Sequence, residues 1–148
     1  MHRLKEVRLL RGISGEHLAL VEDAGEVIQV EAGQRIIQEG AVPQRLLMLL
    51  SGKLEVFVPD PTDPSQGKRL ATLNPGDSCG EYGFIDRRPA SASVKAIEDS
   101  EIFVIPNSDF DTLMRQHHEL ERSIYRNLLQ ALVNRLRASN VLIDLLRS

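Results

Sequence analysis

Glycine and proline occur only in the first part of this 148-residue chain, before Asn107. The segment from Asn107 onward contains neither residue type. Because both residues disfavour the interior of a helix, this later segment is predicted to be helical. The earlier part alternates short apolar stretches with turns that contain glycine or proline, a pattern typical of β-sandwiches, rolls and barrels. We therefore expect a mainly β fold with helix after it.

The composition excludes several classes of protein. The chain has 18 Lys and Arg against 21 Asp and Glu, a net charge of −3 that argues against nucleic acid as the main partner. No apolar run approaches the roughly 20 residues that cross a bilayer, and the basic N-terminus lacks a signal-peptide core. A single cysteine, Cys79, excludes an internal disulfide and a multi-cysteine metal site. We expect one soluble, cytoplasmic domain without a membrane partner.

The domain is predicted to have an N-terminal helical segment over 1–24, a β-region over 25–106 and C-terminal helices over 107–148. Ser14 is placed to cap a short helix from Gly15 to Val21. Seven apolar stretches of the β-region are predicted strands, and an exposed loop is expected from Pro59 to Gly67. The predicted strands cover residues 26–31, 35–39, 46–50, 54–58, 69–73, 93–97 and 101–105.

The third and fourth of these strands read as a β-hairpin. Ser51-Gly52 would form its turn, because glycine adopts positive φ at little cost. In the fourth strand Leu54, Val56 and Val58 alternate with Lys53, Glu55 and Phe57, which predicts that one side of the strand is buried.

The C-terminal segment carries a wide apolar surface. Ser108 and Asp111 resemble a capping box at its start. Beyond it, apolar residues form two neighbouring rows, which are Leu120, Ile124, Leu128, Leu132 and Leu136, and Leu129, Val133, Leu136, Ile143 and Leu146. Either the entire surface covers the chain's own sheet, or half of it packs on a second copy. The apolar tail VLIDLLRS favours the homodimer.

The sequence shows none of the usual catalytic patterns. Neither a G-x-S-x-G element nor a P-loop is present. His117 and His118 would point about 100° apart on a helix and would chelate one metal poorly. Cys79 is expected to be a small buried residue. We therefore expect a non-catalytic protein without a metal or cofactor.

Residues 76–92 contain groups suited to a small anion. Glycines in this segment leave backbone N–H groups open to approach. Glu81 offers an acceptor for a sugar hydroxyl, Arg87 and Arg88 offer cations for a phosphate, and Ser91 adds a donor. A tight turn between strands would explain the same spacing equally well.

Four stretches, AGQRIIQEG, LLMLLSGKLEVF, LATLNPGDSCGE and ASVKAIEDSEIFVIPNSDF, resemble the cyclic-nucleotide-binding domain family. This family includes the catabolite activator protein and the regulatory subunits of cAMP-dependent kinase. The resemblance extends from Leu9 to Asn140 and includes glycines at matching intervals, which are Gly33, Gly40, Gly52, Gly76 and Gly80. It implies a β-roll, or double-stranded β-helix of jelly-roll type, with helices at both ends and a long dimer-forming C-terminal helix.

The resemblance also implies a ligand site. The family's phosphate-binding cassette runs from Phe-Gly-Glu to Pro-Arg-Ala/Ser-Ala. Gly80 and Glu81 match its Gly-Glu pair, whose glutamate holds the ribose 2′-hydroxyl, and Ser91 and Ala92 match the small residues at its end. The arginine that pairs with the cyclic phosphate corresponds to Ala90.

Loss of that arginine is expected to weaken nucleotide binding about 10- to 1,000-fold, from the size of a charge-assisted hydrogen bond and of a broken ion pair. Arg88 is a candidate replacement, because residues two apart in an extended segment share a face. The alternative is that Arg87 and Arg88 are an ordinary solvated pair.

Three functions follow from this interpretation. The first is a regulatory domain that binds cyclic AMP or cyclic GMP and repositions the C-terminal helix. The second is a degenerate relative that has lost nucleotide binding and acts as a dimeric module for a protein partner. The third is an enzyme, or a binder of another small anion, that uses the same pocket. The sequence contains no helix-turn-helix after the long helix, so we do not expect it to read DNA.

Overall fold

The computed structural model describes residues 3–63, 67–80 and 88–147. Two short 3₁₀ helices, Arg3–Glu6 and Arg8–Leu10, come first. Three α-helices are then present in the described part, which are α1 (Gly15–Ala24), α2 (Asn107–Gln116) and α3 (His118–Arg147). The strands are β1 (Glu26–Val30), β2 (Arg35–Ile37), β3 (Arg45–Ser51), β4 (Leu54–Pro59), β5 (Gly67–Leu73), β6 (Ser78–Cys79), β7 (Ser93–Ala96) and β8 (Ser100–Pro106).

The strands form two antiparallel sheets of four, in the orders β1–β8–β3–β6 and β2–β7–β4–β5. The mainly β fold with flanking helices and a long C-terminal helix is therefore confirmed. The cap of α1 is as predicted, because Ser14 Oγ accepts a hydrogen bond from the His17 N–H at 3.2 Å. Leu18 and Val21 of this helix are buried.

Strand β3 separates the two cores of the domain. Leu46 and Met48 belong to a core that β3 shares with the helices, whereas Leu47 and Leu49 belong to a core between the sheets. Successive side chains of a strand point to opposite faces, so a strand with a core on each side must be apolar throughout. This explains why RLLMLL is a continuous apolar run rather than an alternating one.

The predicted hairpin at Ser51-Gly52 is wrong. β3 pairs with β6 and β8, and β4 pairs with β5 and β7, so the chain passes from one sheet to the other at Gly52. Gly52 has a φ of +95°, and a Cβ there would collide with Ser100. A hairpin turn and a corner between sheets both need a positive φ, so the glycine alone does not distinguish them.

The predicted alternation in β4 holds only in its first half. Leu54 is buried, but Phe57 is 7% exposed and Val58 is 37% exposed, which reverses the expected sides. The cause is a register shift between Val56 and Phe57 in the ladder with β5. The Phe57 ring lies beneath two cations, Arg35 and Lys95, at 5.1 and 4.9 Å from its centroid.

The C-terminal segment contains a break that neither glycine nor proline marks. His117 has an extended backbone (φ −132°, ψ 92°) and separates α2 from α3. The predicted capping box is wrong, because α2 begins at Asn107 and has no side-chain cap. Asp111 instead pairs with Arg115 at 3.0 Å, one turn further along the helix.

One side of helix α3 is buried as far as Leu128, and the described side chains from Leu129 onward differ from it in being exposed, namely those at 129–134 and 136–138. Leu120, Ile124 and Leu128 pack into the core shared with the helices. Four apolar side chains that follow are exposed, which are Leu129, Leu132, Val133 and Leu136. Within the part of the chain that the structure describes, no helix is both long and apolar enough to span a membrane.

Candidate functional site

Residues 80–92, which match the family's cassette, are called the cassette-like segment. Its upstream end contacts β3. Cys79 pairs with Leu47 in the ladder between β3 and β6, and Gly80 follows it. Gly80 has a φ of +88°, and a Cβ there would lie 2.7 Å from the backbone oxygen of Arg45. Only glycine combines this backbone conformation with so close an approach.

The downstream end of the segment rests on the turn before β3. The Ala90 N–H donates to the Ala41 carbonyl at 2.8 Å, and the Gly40 N–H donates to the Ala90 carbonyl at 2.9 Å. Ser93 is fully buried, and its Oγ accepts a hydrogen bond from the Glu39 N–H at 3.1 Å. Both ends of the segment therefore pack on one continuous stretch of chain, residues 39–47.

A cavity of about 220 Å³ lies in this stretch. Its described lining consists of Ile36, Ile37, Gln38, Ala41, Val42, Pro43, Gln44, Arg45 and Leu47. Ala41, Arg45 and Leu47 are thus wall residues that also contact the ends of the cassette-like segment. The volume is below the roughly 300–1,000 Å³ of typical ligand pockets, so this cavity alone is smaller than a typical small-molecule site.

The predicted ligand residues differ in their exposure, and two of them are not described. Ser91 and Arg88 are exposed and Ala92 is half-buried. Arg88 makes an interaction of its own within the protein. The predictions for Glu81 and Arg87 lie outside the described residues. Gly80 and Ala90 are the positions that the geometry ties to the cavity wall.

Two residues near the cavity were not found from the sequence. Arg45 lines the cavity at the start of β3. Asn107 connects the wall to α2, because its Nδ2 donates to the Pro43 carbonyl and its N–H donates to the Gln44 carbonyl, both at 2.9 Å. The side-chain oxygen of Asn107 is buried, and no described residue donates a hydrogen bond to it. Arg45 lies two residues before Leu47 and therefore on the same face of β3, but the continuous apolar run of this strand does not indicate which face that is.

Two carboxyl groups with shifted pKa values lie on other parts of the sheets. A hydrogen bond from Arg3, with further ones from Gln29 and Ser51, lowers the pKa of Glu101 to about 2. A hydrogen bond from Arg69 lowers the pKa of Glu55. Among the described residues, no group of three or more His, Cys, Asp or Glu side chains is arranged to hold a metal ion. Cys79 is half-buried and packs against the core between the sheets.

Comparison with known proteins identifies this arrangement. Residues 27–117 match the family model of the cyclic nucleotide-binding domain. Glutaminase 1 of Bradyrhizobium diazoefficiens is 34% identical over 145 residues, which are 98% of this chain and 22% of the glutaminase. A cAMP-dependent protein kinase regulatory subunit of Aspergillus fumigatus is 32% identical over 119 residues, 80% of this chain and 28% of that protein.

A solved structure shows the same architecture. The catabolite activator protein of Thermus thermophilus superposes with a TM-score of 0.77 at 29% identity, over 94% of this chain and 62% of that one. The chain spans less than a third of the length of the two curated relatives above, so the shared part is a domain of each. From the family match over most of the β-region and the shared two-sheet fold, we conclude that the chain belongs to the cyclic nucleotide-binding domain family.

Proposed function

We propose that this chain is a non-catalytic regulatory domain that binds cyclic AMP or cyclic GMP beside Gly80 and Ala90 and couples its occupancy to the C-terminal helices. One observation carries the proposal. Both ends of the cassette-like segment pack on residues 39–47, and six residues of this stretch, 41–45 and 47, line the 220 Å³ cavity. A ligand held by the segment would therefore contact this wall.

The proposed ligand contacts follow the family's cassette. The backbone of Gly80 lies next to the cavity wall. Glu81 would hold the ribose 2′-hydroxyl. Ser91 and Ala92 would contact the cyclic phosphate, with Arg88 as an additional cation. The kinase regulatory subunit to which the chain is similar is named for its dependence on cAMP, which supports a cyclic nucleotide as the ligand class.

The proposed coupling passes through Asn107. Its two hydrogen bonds hold Pro43 and Gln44, which line the cavity, against the first turn of α2. A shift of the wall on binding would therefore displace the start of α2. Such a ligand changes the helix equilibrium only if it binds the two helix positions with different affinities.

The test is calorimetric titration of the purified chain with cyclic AMP and, separately, with cyclic GMP. We expect measurable heat with at least one nucleotide at concentrations between micromolar and millimolar. Absence of heat from both, up to nearly millimolar nucleotide, contradicts the proposal. Adenosine serves as the ligand without a phosphate, and we expect it to bind more weakly than cyclic AMP.

A variant at Ala90 tests the cassette. Ala90→Arg restores the residue that the family uses for the phosphate, so we expect cyclic nucleotide to bind about 10- to 150-fold more tightly, the effect of one charge-assisted hydrogen bond. Ala90→Met is the matched control, because it adds a long side chain without a charge. Equal affinities for Ala90→Arg and Ala90→Met would show that this position does not face the phosphate.

The second candidate is a degenerate domain that binds no nucleotide and acts as a dimeric protein-interaction module. Two observations favour it, the alanine at position 90 and the exposed apolar side chains of α3 after Leu128. It predicts that the natural chain gives no heat of binding with cyclic AMP or cyclic GMP and forms a stable homodimer through α3.

A further inference from the structure

We propose that Arg45 supplies the cation that binds the nucleotide phosphate, in place of the arginine that the family carries at the position of Ala90. This inference rests on the proposed function. It assigns a phosphate contact to a strand residue outside the cassette, in the wall on which the cassette-like segment packs.

The position of Arg45 on β3 directs its side chain to the inner face of the domain. Leu47 and Leu49 belong to the core between the sheets, and Leu46 and Met48 to the core on the helix side. Because side chains alternate along a strand, Arg45 shares the inner face with Leu47. Both of them line the cavity. Arg45 is the first residue of the strand and is exposed.

The surroundings of Arg45 tie it to both ends of the cassette-like segment. Its backbone oxygen lies directly against Gly80, where an added Cβ would be 2.7 Å away. Ala41, which lines the same cavity, holds Ala90 through a 2.8 Å hydrogen bond. A phosphate beside Gly80 and Ala90 would therefore lie next to the cavity wall to which Arg45 belongs.

Arg45 is also available for a ligand. Within the described part of the chain, no hydrogen bond or ion pair engages its guanidinium. Other arginines already have acidic partners, with Arg3 on Glu101, Arg69 on Glu55 and Arg115 on Asp111. Binding of a phosphate by Arg45 would break none of the ion pairs between described residues.

The charge of the cavity lining also favours a phosphate contact. Of its described lining residues, Arg45 is the one charged side chain, so this described part of the wall carries a single positive charge and no carboxylate. A guanidinium presents its donors in a planar fork that matches two phosphate oxygens. The chemistry that fits this wall is an anion with two oxygens on one phosphorus, which a cyclic phosphodiester provides.

The test measures cyclic AMP binding by calorimetry for the natural chain, Arg45→Ala, Arg45→Lys and Arg11→Ala. We expect Arg45→Ala to weaken binding about 10- to 100-fold and Arg45→Lys to have a smaller effect, because lysine keeps the charge but not the fork. Arg11→Ala is the matched control, since it removes one exposed positive charge that is not among the described lining residues. We expect its affinity to stay within about twofold, the effect of a distant screened charge.

The double variant Arg45→Ala/Ala90→Arg separates loss of the cation from damage to the wall. We expect it to bind cyclic AMP more tightly than Arg45→Ala alone, because arginine at position 90 supplies the missing charge. Failure of the double variant to bind, while Ala90→Arg alone binds, would assign the effect to the wall's structure and overturn the inference.

The remaining outcomes separate the two proposals. If the natural chain and Arg45→Ala bind cyclic AMP equally, the inference about Arg45 is wrong and the proposed function stands. If the natural chain binds neither nucleotide, the proposed function is wrong and the inference falls with it. If Arg45→Ala weakens cyclic AMP binding, Arg45→Lys weakens it less and Arg11→Ala leaves it unchanged, both the proposed function and the inference about Arg45 are supported.

Discussion

Ser91 and Ser93 lie two residues apart and face different environments. Ser93 is fully buried, and its Oγ accepts the hydrogen bond of the Glu39 N–H, whereas Ser91 is exposed. We expect Ser93→Ala to lower the free energy of unfolding by about 1–3 kcal/mol, because it leaves a part-buried N–H without its acceptor. Urea denaturation followed by circular dichroism measures this change.

The matched control is Ser91→Ala, for which we expect a change in stability within about 0.5 kcal/mol, as for an ordinary surface substitution. Under the proposed function it still weakens cyclic nucleotide binding, because Ser91 contacts the ligand and not the core. Equal destabilisation by the two variants would contradict this assignment of the two serines.

The role of Gly80 could be predicted from the sequence, whereas the role of Arg45 could not. Gly80 was identifiable because its role depends on a backbone conformation that glycine adopts most readily. Arg45 was not identified, because an arginine at the start of an apolar strand is also the pattern of a solvated strand end. Its role depends on which face of β3 lies between the sheets, and that depends on partners distant in the sequence.

Between β3 and β4 the chain passes from one sheet to the other, and Gly52 lies at this corner. A Cβ at Gly52 would collide with Ser100 Oγ and approach the Asp99 carbonyl at 2.7 Å, in addition to the cost of its positive φ. We expect Gly52→Ala to lower the free energy of unfolding by more than about 2 kcal/mol, since strained backbone and steric overlap add together. Thermal and urea denaturation measure the loss.

Gly33→Ala is the control for this prediction. Gly33 also has a positive φ, +91°, but an added Cβ there would meet no atom within 4 Å. We expect it to cost only the conformational strain, about 1 kcal/mol. If both variants lose the same stability, the contact with Ser100 does not constrain the corner.

At the scale of elements, the sequence predicted where strands lie better than it predicted their partners. Each predicted strand overlaps an observed one, because apolar runs bounded by turn residues are a local signal. The pairing of β3 with β8 and of β4 with β7 joins residues far apart in the chain, so local turn chemistry suggested a hairpin instead. The break at His117 was missed for a similar reason, since the contact of its ring with His17 at 5.4 Å is tertiary.

One carboxylate joins separate parts of the molecule. Glu101 in β8 pairs with Arg3 of the first 3₁₀ helix at 2.9 Å, and it also accepts hydrogen bonds from Gln29 and Ser51. These bonds lower its pKa to about 2. A lowered pKa means that the folded state favours the ionised form, so its stabilising contribution is complete above about pH 4.5 and is lost as the pH falls towards 2.

We expect Glu101→Gln to lower the melting temperature at pH 7 and to reduce the loss of stability between pH 4.5 and 2. Melting curves across this pH range measure both effects. Glu98→Gln is the control, because Glu98 is an exposed carboxylate close to it in the sequence. A natural chain and a Glu101→Gln variant with parallel pH profiles would contradict the linkage of Glu101 to folding.

The exposed apolar side chains of α3 after Leu128 test the homodimer of the second candidate function. Leu129 and Leu136 are 61% and 62% exposed, and they follow Leu128, the last residue of α3 in the core shared with the helices. Burial of each leucine contributes about 1.5–3 kcal/mol, so Leu129→Lys/Leu136→Lys is expected to weaken a homodimer at least about 100-fold. Light scattering of the natural chain should give twice the 16.6 kDa mass of one chain, and the variant should give the single mass.

Ala131→Lys adds a lysine roughly 200° around the helix from Leu129 and should remain dimeric. A natural chain that stays monomeric at every concentration would contradict the homodimer and leave this apolar face for a different protein partner.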